Sequence, residues 1–276
     1  MLNILEGFDL RATRFGTAET LHLMIEAKKL AFEDRARLYG DPTFAEAPVK
    51  RLLSKQYAAK QRKQIDPYLA ARRYDLTSAV LGAGDTTYLC VADSEGNMIS
   101  LIQSNFRGMG SGVVVPGWDS FSITAANCSH WGPAIQTSMR LEKRPFHTII
   151  PGFVLRRGTP WLAFGVVGGD MQPQGHVQIL TNIIDFDMNL QEAGDAPRWY
   201  HEGSSGPTGG VMTNGGYVNL ESEFTYETVR GLMARGHRVR SALGVYGGYQ
   251  AILRDPETGV YYGASEGRKD GAAAGY

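Results

Sequence analysis

The stretch Gly82-Ala83-Gly84-Asp85-Thr86-Thr87-Tyr88-Leu89-Cys90-Val91-Ala92 is where this chain changes period, from helix-like to strand-like. Two glycines mark a turn, and after Thr86-Thr87 the run Tyr88 to Ala92 reads as a strand. A second such run, Met98 to Gln103, follows across Asp93-Ser94-Glu95-Gly96-Asn97. The Asp, Gly and Asn of that connection tolerate positive φ, so the two runs predict a hairpin. A threonine at the point where a loop becomes a strand can act as a nucleophile if the bond before it is cut. The freed α-amine then lies beside the hydroxyl, joining general base and nucleophile in one residue. On local sequence alone, the pair Thr86-Thr87 reads more simply as strand packing.

Upstream of this stretch the chain is helical. Leu21, Met24, Ile25, Leu30, Ala31 and Phe32 recur near helical spacing, predicting a helix over 17–37 that Gly40-Asp41-Pro42 stops. Residues 50–64 read as a second helix with a basic, solvated face. Downstream, strands are predicted over 148–155 and 161–167 around the turn Arg156-Arg157-Gly158-Thr159, and a helix over 174–184. A further helix over 220–235 closes at Gly236, and the last strands fall at 250–253 and 260–262. Strands followed by helices, repeated, point to stacked layers of sheet and helix in an α+β fold.

The 276 residues carry 28 Lys plus Arg against 28 Asp plus Glu, so no charge excess draws the chain to nucleic acid or to an anionic membrane. No apolar run reaches membrane-spanning length, and Met1-Leu2-Asn3-Ile4-Leu5-Glu6 lacks the layout of a signal peptide. Cys90 and Cys128 are too few for a disulfide framework or a cysteine zinc site. The six histidines are scattered without His-Glu-x-x-His, so neither a metal nor a cofactor is expected. Gly108-Met109-Gly110-Ser111-Gly112 resembles a dinucleotide loop but leads into Val113-Val114-Val115-Pro116 rather than a helix, which excludes that use. Val167-Gly168-Gly169-Asp170 does lie between a strand and a helix. Paired glycines there can turn successive N–H groups toward a developing oxyanion, or simply make a tight turn.

Longer phrases carry more. They include Phe32-Glu33-Asp34-Arg35, Gly40-Asp41-Pro42, Asp85-Thr86-Thr87-Tyr88, Gln103-Ser104-Asn105 and Lys143-Arg144-Pro145-Phe146-His147-Thr148-Ile149-Ile150-Pro151. To these add Gly168-Gly169-Asp170-Met171-Gln172-Pro173-Gln174-Gly175-His176, Asn189-Leu190-Gln191-Glu192-Ala193 and Asp195-Ala196-Pro197-Arg198. With these phrases the chain resembles the γ-glutamyltranspeptidase family of N-terminal nucleophile hydrolases, and is most similar to its acyltransferase and cephalosporin-acylase-like branch. The resemblance implies a four-layer αββα sandwich that here is incomplete at its N-terminal side. Residues 1–85 would match the C-terminal part of the larger subunit, mainly helical, and 86–276 the nucleophile-bearing smaller subunit, together one domain.

The resemblance also implies self-cleavage of the Asp85–Thr86 bond. Thr86 would then attack an amide carbonyl, its own amine moving the proton, and the acyl group would pass to water or to an amine. Ser104 would orient the Thr86 hydroxyl, and Gly168 and Gly169 would form the oxyanion hole. The implied partners are a small-molecule amide and its acceptor, the two cleaved pieces bound to each other, and a missing N-terminal segment supplied in trans. An incomplete member lacking activity on its own is the alternative. The compartment is left open between cytoplasm and export.

Three departures qualify the resemblance. Where the γ-glutamyl-specific branch grips its substrate with an Asn and two serines, this chain has Phe106, His147 and Thr148. A ring cannot replace amide hydrogen bonds, so an N-acyl or dicarboxylic-type amide suits the site at least as well as a γ-glutamyl group. His147 and Thr148 read either as substrate contacts or as packed strand residues. Between Trp118 and Arg140 the family's turn phrase gives way to Ile123-Thr124-Ala125-Ala126-Asn127-Cys128-Ser129-His130-Trp131, a change that compensating frameshifts would also produce. Lastly, Met1 matches the middle of the larger subunit, which leaves that subunit's carboxylate-binding arginine without a counterpart.

Overall fold

The computed structural model describes residues 1–44, 46–74, 86–106, 110–114, 116, 137–138 and 140–276. Eight helices and nine strands are assigned among them: α1 (Leu2–Leu5), α2 (Leu10–Thr13), α3 (Ala18–Leu38), α4 (Val49–Leu52), α5 (Lys55–Arg62), β1 (Thr86–Ala92), β2 (Met98–Ser104), β3 (Gly152–Arg156) and β4 (Thr159–Val166) come first. There follow α6 (Met171–Ile184), α7 (Leu190–Asp195), β5 (Trp199–Glu202), β6 (Tyr217–Leu220), α8 (Tyr226–Ala234), β7 (Val239–Arg240), β8 (Tyr249–Arg254) and β9 (Tyr261–Ser265). This mixture of helices and mainly antiparallel strands agrees with the α+β expectation. No described helix is long and apolar enough to cross a membrane.

The chain divides into two compact units. The first comprises residues 1–82, 125–147 and 199–242, and its axis is α3. Thr17 caps α3 by accepting from the Thr20 N–H at 3.2 Å, Glu19 sits in the first turn and Arg35 and Arg37 in the last. The sequence reads as amphipathic, yet Glu26, Lys28 and Lys29 are buried along with the apolar positions. Each is partnered. Lys29 Nζ meets Glu26 Oε1 at 2.6 Å, and Lys28 Nζ donates to the His201 carbonyl at 2.9 Å and to Ser204 Oγ at 2.7 Å. The predicted helix over 50–64 is two helices, because Ser54 ends α4 and caps α5 by accepting from the Tyr57 N–H. The predicted helix over 220–235 starts later, at Tyr226 behind the cap Thr225, and Leu220 instead closes β6 opposite Trp199 of β5.

The second unit comprises residues 83–124, 148–198 and 243–276. The hairpin β1–β2 stands as a two-stranded sheet, and β3-β4-β8-β9 form a four-stranded antiparallel one. The hairpin is as predicted, with two residues more at the start of β1 and one more at the end of β2. The strand predicted over 148–155 is shorter, because residues 148–151 are not in regular structure. Helix α6 starts three residues earlier than predicted, directly after the glycine pair. On the hairpin, Tyr88 and Ile102 are buried while Leu89, Val91, Ile99 and Leu101 on the other face are exposed.

Candidate active site

Strands β1 and β2 pair so that Thr86 lies opposite Ser104 and Tyr88 opposite Ile102. Side chains alternate along each strand, which puts Thr86, Tyr88, Ile102 and Ser104 on one face. Thr86 Oγ1 donates to Ser104 Oγ at 3.1 Å, and Ser104 Oγ also accepts from the Phe106 N–H at 2.9 Å. One hydroxyl oxygen therefore fixes both the Thr86 rotamer and the chain as it leaves the strand. Phe106 turns there with φ +71° and its ring is buried. A bulky residue at positive φ is uncommon, and here the bond to Ser104 and the buried ring hold it.

The same face is seated on β4. At Gly165 an added Cβ would lie 2.4 Å from the Tyr88 ring, so only glycine permits this approach. Tyr88 and Ile102 pack with Val167, and the glycine pair begins at the next residue. Gly168 and Gly169 take φ +113° and +60°, conformations that side chains rarely adopt. Their carbonyls accept from the Met171 and Gln172 N–H groups, each at 3.1 Å, which starts α6. Among the described residues neither glycine N–H has an acceptor, so both remain available to a ligand. The structure thus brings Thr86 and Ser104 into contact and ties their face, through Val167, to the glycine turn.

Two residues that sequence reasoning assigned no role brace this turn. Gln172 accepts from the Ile150 N–H through Oε1 at 2.9 Å and donates from Nε2 to the Thr148 carbonyl at 3.2 Å. It thereby holds the irregular 148–150 segment against the first turn of α6. His176 accepts from the Val166 N–H through Nε2 at 3.1 Å, and burial lowers its pKa to about 4, which keeps the ring neutral. Thr148 is half-buried and His147 is exposed. In the first unit, Arg144 donates to Asp41 from its backbone N–H, Nε and Nη2 at 2.9, 3.3 and 3.0 Å. These bonds, with those from Thr43, hold the Asp41 carboxyl well below the usual carboxylate range. The only forewarning of these three was their place in the quoted phrases.

A model of the family described as gamma-glutamyltranspeptidase matches residues 1–276. The chain belongs to the gamma-glutamyltranspeptidase family. Among its relatives are the glutathione hydrolase-like YwrD proenzyme of Bacillus subtilis, 34% identical over 99% of this chain and 50% of its own length, and the acylase ACY 1 proenzyme of Pseudomonas sp. strain SE83, 35% identical over 98% and 46%. The chain spans about half the length of the curated relatives it matches. Among solved structures, cephalosporin acylase from Bacillus halodurans superposes with a TM-score of 0.85 at 41% identity, over 100% of this chain and 48% of that one. The γ-glutamyltranspeptidase of Pseudomonas nitroreducens shares the fold at a TM-score of 0.58 and 22% identity, over 69% of this chain and 98% of that one. The fold expected from the resemblance is therefore that of the family.

Not every site expected of a family member falls on described residues. Asp85, the residue before the expected cut, lies outside them, as does most of the divergent 118–140 segment, including Cys128 and His130. Gly108 and Met109 of the rejected glycine loop lie outside them too. One group among the described residues has metal-ligand chemistry that the sequence reading did not find. The ligand atoms of His22, Glu26 and His237 lie within 4.8 Å of one another. Their bonds are already used internally. The Asp66 carbonyl can only accept, so His22 Nε2 donates to it at 2.7 Å; Nδ1 then accepts from His237 Nε2 at 2.8 Å. Glu26 binds Lys29, the Ala71 N–H and the Tyr74 hydroxyl. The group ties the 66–74 segment to α3.

Proposed function

We propose that this chain carries the nucleophile half of a self-processing amidohydrolase or acyltransferase, with Thr86 as the nucleophile. Cleavage of the Asp85–Thr86 bond frees the Thr86 α-amine, which takes the hydroxyl proton as Oγ1 attacks an amide carbonyl. Ser104 holds Oγ1 in place. The tetrahedral oxyanion binds the Gly168 and Gly169 N–H groups, the amine leaves with the proton, and water or a second amine releases the acyl group from Thr86. Losing one oxyanion donor typically costs roughly 10²–10³ in rate. The observation that carries this reading is the Thr86–Ser104 hydrogen bond at the start of β1, on the face that also packs the residue before the glycine pair.

The substrate class follows from the residues around that bond. Phe106 offers an apolar ring where amide hydrogen bonds would grip an α-amino acid end, which favours an N-acyl or dicarboxylic acyl group over a γ-glutamyl zwitterion. The names of the relatives span both kinds, since one is an acylase and another, from Escherichia coli, a glutathione hydrolase.

A second reading, that the chain acts only with a complementary N-terminal segment, is favoured by the exposed apolar face of the hairpin. Leu89, Val91, Ile99 and Leu101 are each at least 45% exposed, on a sheet of only two strands. Such a face is ordinarily covered. Intact-mass analysis of the expressed chain tests the main reading. Fragments ending at Asp85 and starting at Thr86 are expected, with Thr86→Ala staying whole. A wild-type chain that also stays whole, yet matures when the N-terminal half of a relative is co-expressed, supports the second reading instead; one that never matures refutes both.

A further inference from the structure

The first unit holds a cavity of about 560 Å³ between α3, α4, α5 and the segment around Arg73. Its walls carry four cations, Arg37, Arg51, Lys60 and Arg73, and its lining includes a single acid, Glu33. The floor is locked. Tyr57 donates to Asp34 Oδ1 at 2.7 Å, Gln61 to Asp34 Oδ2 at 2.8 Å, and Tyr74 to Glu26 at 2.9 Å. Arg37 is held by Asp34 at 3.2 Å, whereas the Arg51 guanidinium lies over the Tyr57 ring at 5.1 Å.

Glu33 makes this more than a patch of solvated cations. Its Oε1 accepts from Ser205, but Oε2 is buried without a partner among the described residues. Burial pushes its carboxyl up, against the pull of the Ser205 bonds. A buried polar atom without a partner calls for a ligand or water. We propose that this cavity binds a small multivalent anion, one bearing two or more carboxylate or phosphate groups, between Arg51, Lys60, Arg73 and the Glu33 carboxyl. The volume exceeds what a single inorganic ion fills and falls within the usual range for small-molecule sites. The cations project from separate elements, which suits a ligand with more than one anionic group. Glu33 also belongs to Phe32-Glu33-Asp34-Arg35, a phrase the Thr86 chemistry does not use.

Isothermal titration calorimetry on the full chain at low salt tests this with citrate and with inorganic pyrophosphate, which separate the polycarboxylate from the polyphosphate arm. The expected result is one saturable site for at least one probe. Binding should weaken about tenfold or more in Arg51→Gln/Lys60→Gln, since charge-assisted bonds are the strong ones. Raising salt should weaken it further. Lys63→Gln, on α5's C-terminal end but not lining the cavity, should change it by less than about twofold, as expected of a screened surface charge. Failure of both probes to saturate, or equal affinity in the double variant, overturns the proposal. Neither result bears on whether Thr86 is the nucleophile.

Discussion

Ser104→Ala tests the candidate site most sharply, because it deletes one oxygen with two separable duties. The first duty is structural. Ser104 Oγ accepts the Phe106 N–H at 2.9 Å, and Phe106 is 5% exposed, so the alanine takes away a buried donor's acceptor. That costs about 1–3 kcal/mol. For a domain of this size each kcal/mol lowers the melting temperature by about 2–4 °C, so a drop of roughly 2–12 °C is expected. The second duty is to orient Thr86 Oγ1, which donates to the same oxygen at 3.1 Å. A net hydrogen bond is worth about 1 kcal/mol, or about fivefold in rate. Releasing the Thr86 side chain among its staggered rotamers adds up to about threefold. Together these predict that the Asp85–Thr86 cut slows roughly tenfold.

The assay is a time course of intact mass at 20 °C on chain refolded from the uncut state, beside thermal melts of the same samples. Ser104→Thr restores a hydroxyl and should recover most of both losses. A variant that melts early but is cut at the wild-type rate well below its melting temperature would confine Ser104 to holding Phe106. Unchanged melting and unchanged cutting together would refute both hydrogen bonds as sources of order. Either way, the comparison requires a wild-type chain that is cut.

Two further expectations come from the same region. Gly168→Ala meets both a φ of +113° and a Cβ contact of 3.2 Å with Gly247, whereas Gly158→Ala meets a φ of +82° and open space. Melts should show Gly168→Ala as the more costly of the two, and turnover of a chromogenic anilide by matured protein should fall only at Gly168, whose displaced N–H is the proposed oxyanion donor, by up to roughly the 10²-fold that loss of such a donor costs. His176, held neutral with a pKa of about 4 against 6.5 unfolded, adds stability that is complete above pH 6.5 and is lost as pH falls toward 4. Urea unfolding should therefore show about 2 kcal/mol less stability at pH 5 than at pH 7.5, and an unchanged midpoint would refute the buried neutral ring. His22 and His237 are shifted the same way, chiefly by burial, and steepen the loss.

How much of this was legible in the sequence differs between fold and site. The hairpin was plain because one face alternates strictly, and α3 because its apolar spacing is helical. Strands β5 and β6 were missed because their buried positions include His201 and Asn219, which no hydrophobic period reveals. Leu220 was drawn into the following helix for the same reason, its apolar side chain fitting either period. The helix over 50–64 broke at Ser54, whose capping preference was the available sign. The burial of Lys28 and Lys29 carried no local sign, because the partners lie over 170 residues away at His201 and Ser204 for one, and one turn away at Glu26 for the other.

Site chemistry was legible only where it reduces to register. Thr86 and Ser104 meet because a five-residue connection between two seven-residue strands sets the first residue of one opposite the last of the other, a result that the turn signal alone nearly fixes. The bracing contacts have no such local rule. Gln172 reaches back to residues 148–150 and Arg144 across to Asp41, and in each case both ends lie in phrases that the chain shares with its family. Those phrases therefore serve different ends. On the proposed reading, the ones at 85–87 and 168–169 supply the nucleophile and the oxyanion donors and the one at 103–105 positions the nucleophile, while those at 40–42, 143–151 and 172–176 hold backbone in place. Substituting the second kind should first lower stability and only then turnover, which is the order that separates a brace from a reacting group.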